Sequence, residues 1–296
     1  MDLNLLKLRL IAERRKITRS RRKAALARDE AASGLTDDFD RTPLLRENLD
    51  RAITATASHP GAEGEIAVFS TFCGITRNFT FDKNNRARDC PHYFVSNNRT
   101  ALDIVQSLGW LPIFLDMEIS KNPILSAHQA KVAKALPHLF PDLARHRFLV
   151  YSDDKQRIKH AELPGFIETL TDKGGAMAVK LSPHIQDNIL WEFTDSLFQD
   201  RYRKQAHRML RFLLKQMEAG KTLEADRLFM TGFSIRDMAH PRATALSEQW
   251  YADILDCGID CQLAFDFLAQ GNPDIVDLPA PPRKKYLGKK LPPGSK

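Results

Sequence analysis

The stretch Phe148-Leu-Val-Tyr-Ser-Asp-Asp154 carries the most informative chemistry in the chain. An apolar strand runs straight into two adjacent carboxylates. In open α/β sheets, ligands bind beyond the carboxyl ends of the strands. Carboxylates placed there can hold a hard divalent cation, Mn²⁺ or Mg²⁺. Such a cation keeps several waters and takes one or two carboxylates plus phosphate oxygens. Asp153 and Asp154 are therefore candidate metal ligands. The same pair also suits a turn or the N-cap of a following helix, and spacing alone leaves both readings open.

Other polar groups cluster at element ends. Ser96, Asn97 and Asn98 close a short strand, either as a ligand-facing loop or as a polar turn. Lys131 and Lys134 can meet phosphate as point charges or form a solvated helix face. Arg236, Asp237 and His240 follow a strand, just before Pro241. Arg236 can clamp phosphate or carboxylate with two parallel bonds. Asp237 or His240 can accept a proton from a hydroxyl. A loop ion pair and a surface histidine account for them equally. Gln262 and Asp266 are four apart on a late helix and share a face, with Asp260 just before. They can bond a polar ligand, with Asp266 as a base, or form a helix face with one buried polar contact. Trp191, Phe193, Leu197, Tyr202 and Phe212 read as core. The chain has no P-loop, no G-x-G-x-x-G fingerprint and no G-x-S-x-G elbow.

These groups need elements to position them. Strands are expected at 66–72, 93–95, 110–115, 147–151, 176–181 and 228–235. Helices are expected at 100–107, capped by Thr100, and at 125–136, 161–171, 242–256 and 260–270. A long helical stretch, broken at most once, is expected over 186–218. The alternation predicts an α/β domain with a mainly parallel central sheet.

The chain has 296 residues, 43% of them hydrophobic and 27% charged, which excludes wholesale disorder. Its four cysteines are too few and too scattered for a disulfide scaffold, and none forms a C-x-x-C pair. They read as buried reduced thiols, a weak sign of a reducing compartment. No apolar run reaches the about 18 residues of a membrane span, and no secretory signal is recognisable at the start.

The net charge of +7 is uneven. Residues 1–30 carry +6 and residues 271–296 carry +4, which leaves about −3 for the body. Leu3, Leu6, Leu10 and Ile11 share one face of a basic N-terminal helix. That helix suits a solvated packing role, or peripheral contact with an anionic membrane or a partner. No aromatic is interleaved, so nucleic acid is not an expected partner.

From about residue 65 to 270 the chain resembles a family of GT-A-type glycosyltransferases of bacteria and plants, which includes proteins linked to cell-wall and mucilage polysaccharides. Ile66-Ala-Val-Phe-Ser70, Tyr93-Phe-Val-Ser96, Trp110, Lys134, Pro137-His138 and Tyr151-Ser-Asp-Asp154 match its blocks in order. Gln205 through Gly220, Arg236, His240, Trp250-Tyr251 and Asp260-Cys-Gln-Leu-Ala-Phe265 continue the series. Two positions depart from it: Asp154 stands where the family has Gly, and Asp260-Cys261 replaces Arg-Asp.

The resemblance implies a GT-A-like domain that binds a nucleotide-sugar donor, with Asp153 in the metal position. It implies transfer to a saccharide, lipid or protein hydroxyl in polysaccharide or glycolipid assembly. Ser96, Asn97, Lys134, Arg236 and Gln262 are the expected donor contacts, and Asp237, His240 and Asp266 the expected catalytic groups. The expected organisation is a basic helical extension at 1–33, a linker with a short helix at 34–64, the domain at 65–272 and a basic tail at 273–296. The expected location is cytoplasmic, with peripheral membrane contact through residues 1–30. The alternatives are a non-catalytic adaptor that binds lipid or RNA through its basic ends, and a metal-dependent phosphohydrolase.

Overall fold

The computed structural model describes residues 35–53, 62–82, 84–183 and 188–280. The expected basic helix at 1–33 and most of the basic tail lie outside the described residues.

Among the described residues, seven strands form one sheet in the order β3-β2-β1-β4-β6-β5-β7. They are β1 (Ile66–Phe72), β2 (His92–Ser96), β3 (Leu111–Phe114), β4 (Phe148–Ser152), β5 (Met177–Leu181), β6 (Phe229–Asp237) and β7 (Ile275–Leu278). Neighbours pair in parallel except at β6, which runs against both β4 and β5. The expected mainly parallel α/β fold is the one observed. Six strands fall close to their expected positions. The seventh was not expected: β7 lies beyond residue 272 and pairs with β5, so the folded unit extends into the segment read as a tail.

The helices are α1 (Arg46–Ile53), α2 (Arg99–Gln106), α3 (Pro123–Ala135), α4 (Pro141–Ala144), α5 (Leu163–Asp172), α6 (Leu190–Ser196), α7 (Asp200–Lys204), α8 (Ala206–Glu218), α9 (Ala243–Cys257) and α10 (Cys261–Leu268). Successive side chains of a strand point to opposite faces, so a sheet covered on both faces needs continuous apolar strands. Phe69, Tyr93, Val95, Leu149, Tyr151 and Val179 pack with Val132 of α3, Trp250 of α9 and Phe265 of α10. Val68, Phe94, Val150, Ala178 and Ile235 pack on the other face with Val105 of α2 and Leu170 of α5. Helix α1 is not a loose linker helix, because Leu49, Ala52 and Ile53 enter the first of these cores.

The caps differ from expectation at α2. Asn98, not Thr100, caps it, accepting from the Ala101 N–H at 3.1 Å. The long stretch over 186–218 is broken twice, into α6, α7 and α8. The second break falls at Gln205, whose buried amide donates to Asp37 Oδ1 at 2.6 Å and accepts from the Ile259 N–H at 2.8 Å. Gly258 makes room for it: a Cβ there would lie 2.8 Å from Gln205 Oε1, and its φ of +113° disfavours other residues. Trp250 links α9 to α10, with its Nε1 donating to the Cys261 carbonyl at 2.9 Å. Truncating so buried a tryptophan costs about 3–5 kcal/mol. The four cysteines carry free thiols. No helix among the described residues is long and apolar enough to cross a membrane.

Candidate functional site

The parallel strands β1, β2 and β4 end on one side of the sheet. Because β6 is reversed, its first half reaches the same side: Ser152 pairs with Phe233, and Phe148 with Asp237. Asp153 leaves the end of β4 with its N–H bonded to the Gly232 carbonyl at 2.8 Å. Its carboxylate is held from one side. Tyr151 Oη donates to Asp153 Oδ1 at 2.6 Å, and Lys134 Nζ approaches the same oxygen at 3.4 Å. Lys134 itself is buried and lies 4.7 Å from the centroid of the Tyr151 ring. Burial works against charge on Asp153, but Lys134, Lys131 and the Tyr151 hydroxyl outweigh it and hold the carboxyl below its ordinary value.

The other carboxylate oxygen faces Gly232, where a Cβ would come within 2.8 Å of Asp153 Oδ2 and 2.3 Å of Gln156 Nε2. The Asp153 side chain is 40% exposed. Asp154 is half-buried, and burial lifts its carboxyl to about 6, with the Asp153 charge adding to the rise. Two adjacent carboxylates, one with an open oxygen, fit a hard cation that completes its shell with water and phosphate oxygens. Among the described residues no group of three or more His, Cys, Asp or Glu side chains could hold a metal unaided.

Lys131 stands one turn before Lys134 on α3. Burial opposes its charge, but Cys261, Asp153 and Tyr202 raise it above an ordinary lysine. Burial pushes the Cys261 thiol up, yet Lys131 and Lys134 bring it below its ordinary value, and its Sγ lies 3.4 Å from Thr231 Oγ1. Past Cys261 the cluster turns acidic. Gln262 Nε2 donates to Glu192 Oε2 at 2.5 Å. Burial, with Asp260 and Asp266 nearby, lifts the Glu192 carboxyl to about 9. Glu192 therefore keeps its proton at neutral pH. It lies inside the stretch read as one long helix, where no motif marks it; the turn that faces it towards α10 is a tertiary event.

The remaining expected residues take other places. Ser96, Asn97 and Asn98 are buried. Ser96 Oγ accepts from the Asn98 N–H at 3.0 Å, Asn97 Oδ1 from the Gly74 N–H at 3.0 Å, and Asn98 donates to the Gly74 carbonyl at 2.8 Å. They brace the loop after β1 against α2. Asp266 accepts from the Phe229 N–H at 2.9 Å, and burial raises its carboxyl well above the ordinary range. A carboxyl so deeply buried anchors the start of β6, and no acceptor hydroxyl reaches it to use it as a base.

Arg236 is 0% exposed, so no ligand reaches it as the structure stands. It donates to the Lys134 carbonyl at 2.7 Å and lies 5.5 Å from the Trp250 ring centroid, with burial lowering its guanidinium to about 9. It grips the C-terminal end of α3, where a cation suits the helix dipole, and so steadies Lys134. Asp237 and His240 sit at the far end of the sheet, about 16 Å of strand from Asp153. Asp237 bonds Arg147 through both carboxylate oxygens at 3.3 Å. His240 Nδ1 accepts from the Arg242 N–H at 3.2 Å. The antiparallel course of β6, invisible in its sequence, carries these two away from the aspartates. A separate cleft of about 1090 Å³ lies beside α1, lined by Asp40, Glu47, Arg51, Asp116, Glu118 and Gln129.

No known family profile matches the chain, and no curated protein matches it. Among solved structures, the mannosyltransferase Ktr4p of S. cerevisiae aligns over 82% of this chain and 79% of that one, with 12% identity and a TM-score of 0.38. Core-mannan synthase A (CmsA/Ktr4) of Aspergillus fumigatus, in its Mn/GDP form, aligns over 78% and 73%, with 13% identity and a TM-score of 0.38. Ktr4p of S. cerevisiae in complex with GDP aligns over 79% and 78%, with 12% identity and a TM-score of 0.35. At these TM-scores the weight falls on the chain's own residues.

Proposed function

We propose that the chain is a nucleotide-sugar-dependent glycosyltransferase, moving a sugar from a nucleoside diphosphate to the hydroxyl of a saccharide, lipid or protein acceptor. One observation carries the reading: at the carboxyl end of a central strand the Asp153 carboxylate, with Asp154 next to it, lies 3.4 Å from the Lys134 ammonium, and the Lys131 charge acts on both carboxyls. Acidic and basic groups side by side suit a diphosphate that arrives with a divalent cation.

In this proposal Asp153 and Asp154 would hold Mn²⁺ or Mg²⁺, which when bound would offset charge on the departing diphosphate. Lys134 and Lys131 oppose the same charge from the protein side as preorganised cations. Tyr151 holds the Asp153 carboxylate in one orientation. The protonated Glu192 and the Gln262 amide supply hydrogen bonds for sugar hydroxyls, and Arg236 acts only through Lys134. During transfer the bond from the anomeric carbon to the diphosphate oxygen breaks. A bond from that carbon to the acceptor oxygen forms, and the acceptor hydroxyl passes its proton to the released diphosphate.

The test is thermal stability against a panel of UDP-, GDP-, CMP- and dTDP-sugars, with and without Mn²⁺. A ligand at about 100 times its Kd stabilises the native state by about 2.7 kcal/mol. The expected result is a rise in Tm with one nucleotide class, dependent on metal and absent in Asp153→Asn. No rise with any donor overturns the proposal.

A further inference from the structure

Helix α8 has two apolar faces. Met209, Phe212 and Leu213 are buried against the body. Leu210, Leu214 and Met217, spaced at four and three residues, form a second row on the outside and are 44%, 58% and 45% exposed. A helix at the surface of a solvated domain ordinarily turns charged side chains outward there. Trp191 and Phe198, on and just after α6, add exposed aromatic surface. The start of α6 is tied to the chain just past α8, where the Ile189 N–H donates to the Leu223 carbonyl at 2.9 Å.

The charge around this row is mainly positive, with Glu218 and Asp256 as its acidic exceptions. Residues 200–221 hold seven Lys/Arg against Asp200 and Glu218, a net of +5, within a body (31–270) of about −3. Some of these cations are engaged: Lys215 with Asp256 at 2.5 Å, and Arg208 with the Leu255 carbonyl at 2.9 Å. Arg211 is exposed beside the row and has no ion pair among the described residues.

We propose that the outer face of α8, Leu210, Leu214 and Met217 with Arg211 at its border, docks on an anionic phospholipid bilayer. An aliphatic row bordered by cations is the layout of a helix lying in a membrane interface. Charge disfavours the occupants that this chain could itself supply. Residues 1–34 and 281–296 each carry +6, so like charge opposes either end folding onto a +5 surface. A second copy brings two such surfaces together and meets the same repulsion. This surface is distinct from the basic N-terminal stretch, and its role does not depend on the transferase reading.

The experiment is flotation of the full chain with vesicles of phosphatidylcholine alone and with about one third phosphatidylglycerol. The chain binds the anionic vesicles, and Leu210→Asp/Leu214→Asp lowers binding at least about tenfold with an unchanged Tm, since both side chains are exposed. Arg211→Glu, a milder change, lowers it less. Position is read with Leu214→Trp in a Trp191→Phe background, whose emission is quenched by lipids brominated in the acyl chain. Failure of the parent chain to float with anionic vesicles overturns the proposal. So does flotation of the double Asp variant at the parent level, or flotation without quenching at position 214.

Discussion

Lys134 Nζ lies 3.4 Å from Asp153 Oδ1, joining a helix residue to a strand end nineteen positions later. The pair is asymmetric. Lys134 is buried while Asp153 stays partly open. The lysine therefore depends on this carboxylate for its charge balance, and the carboxylate keeps an oxygen for a ligand.

Replacing Asp153 by Asn removes both roles. Donor turnover falls at least about 100-fold. Stability falls by about 1–2 kcal/mol, less than for a fully buried pair because Asp153 reaches solvent. A transfer assay and a melting curve on the same preparation check this. Near-parental turnover contradicts the placement of the diphosphate.

Gly232→Ala acts on the same carboxylate without touching its charge. The new Cβ meets Asp153 Oδ2 and Gln156 Nε2 inside van der Waals distance. Both are side-chain ends, so the fold yields at small cost while the carboxylate turns. Metal affinity, measured by titration calorimetry, is expected to drop about tenfold, with a Tm shift of no more than a few degrees.

Glu192 makes stability depend on pH in a direction opposite to a salt-bridged acid. Its carboxyl ionises near 9 in the folded chain against 4.5 for an ordinary glutamate. The unfolded chain therefore releases this proton first. The contribution of Glu192 is fully present below pH 4.5 and fades as pH rises towards 9. Glu192→Gln removes the titration. The variant is expected to melt higher than the parent at pH 8.5 and close to it at pH 4.5. Parallel melting curves at both pH values contradict the raised carboxyl.

Asp237→Asn tests the separation of the two sheet ends. The change weakens the contacts with Arg147, whose side chain is 43% exposed, and lowers the Tm only slightly. Donor affinity and turnover stay at the parental level. A hundredfold loss of turnover in a folded variant would return Asp237 to the chemistry.

Much of this was legible in the sequence. Strands β1 through β6 announce themselves as apolar runs because a sheet buried on both faces tolerates little else. Asp153 could be placed at a strand end from the run of residues 148–154 alone. What the sequence left open was set by contacts between distant residues. The reversed direction of β6 separates Asp237 and His240 from Asp153, and nothing in residues 229–237 encodes that direction locally. Arg236 reads as a phosphate clamp but points under α3, since a strand's pattern does not say which layer covers each face. Glu192 joins the cluster only because the long helical stretch breaks, one break lying at Gln205, whose partners are Asp37 and Ile259. β7 does not stand out because it runs into a Pro- and Lys-rich stretch and gains its partner from the distant β5. Local sequence determined which segments are strands and where one pair of carboxylates stands. Tertiary packing decided which charges meet that pair, because burial and pairing energies belong to the assembled layers and not to any one segment.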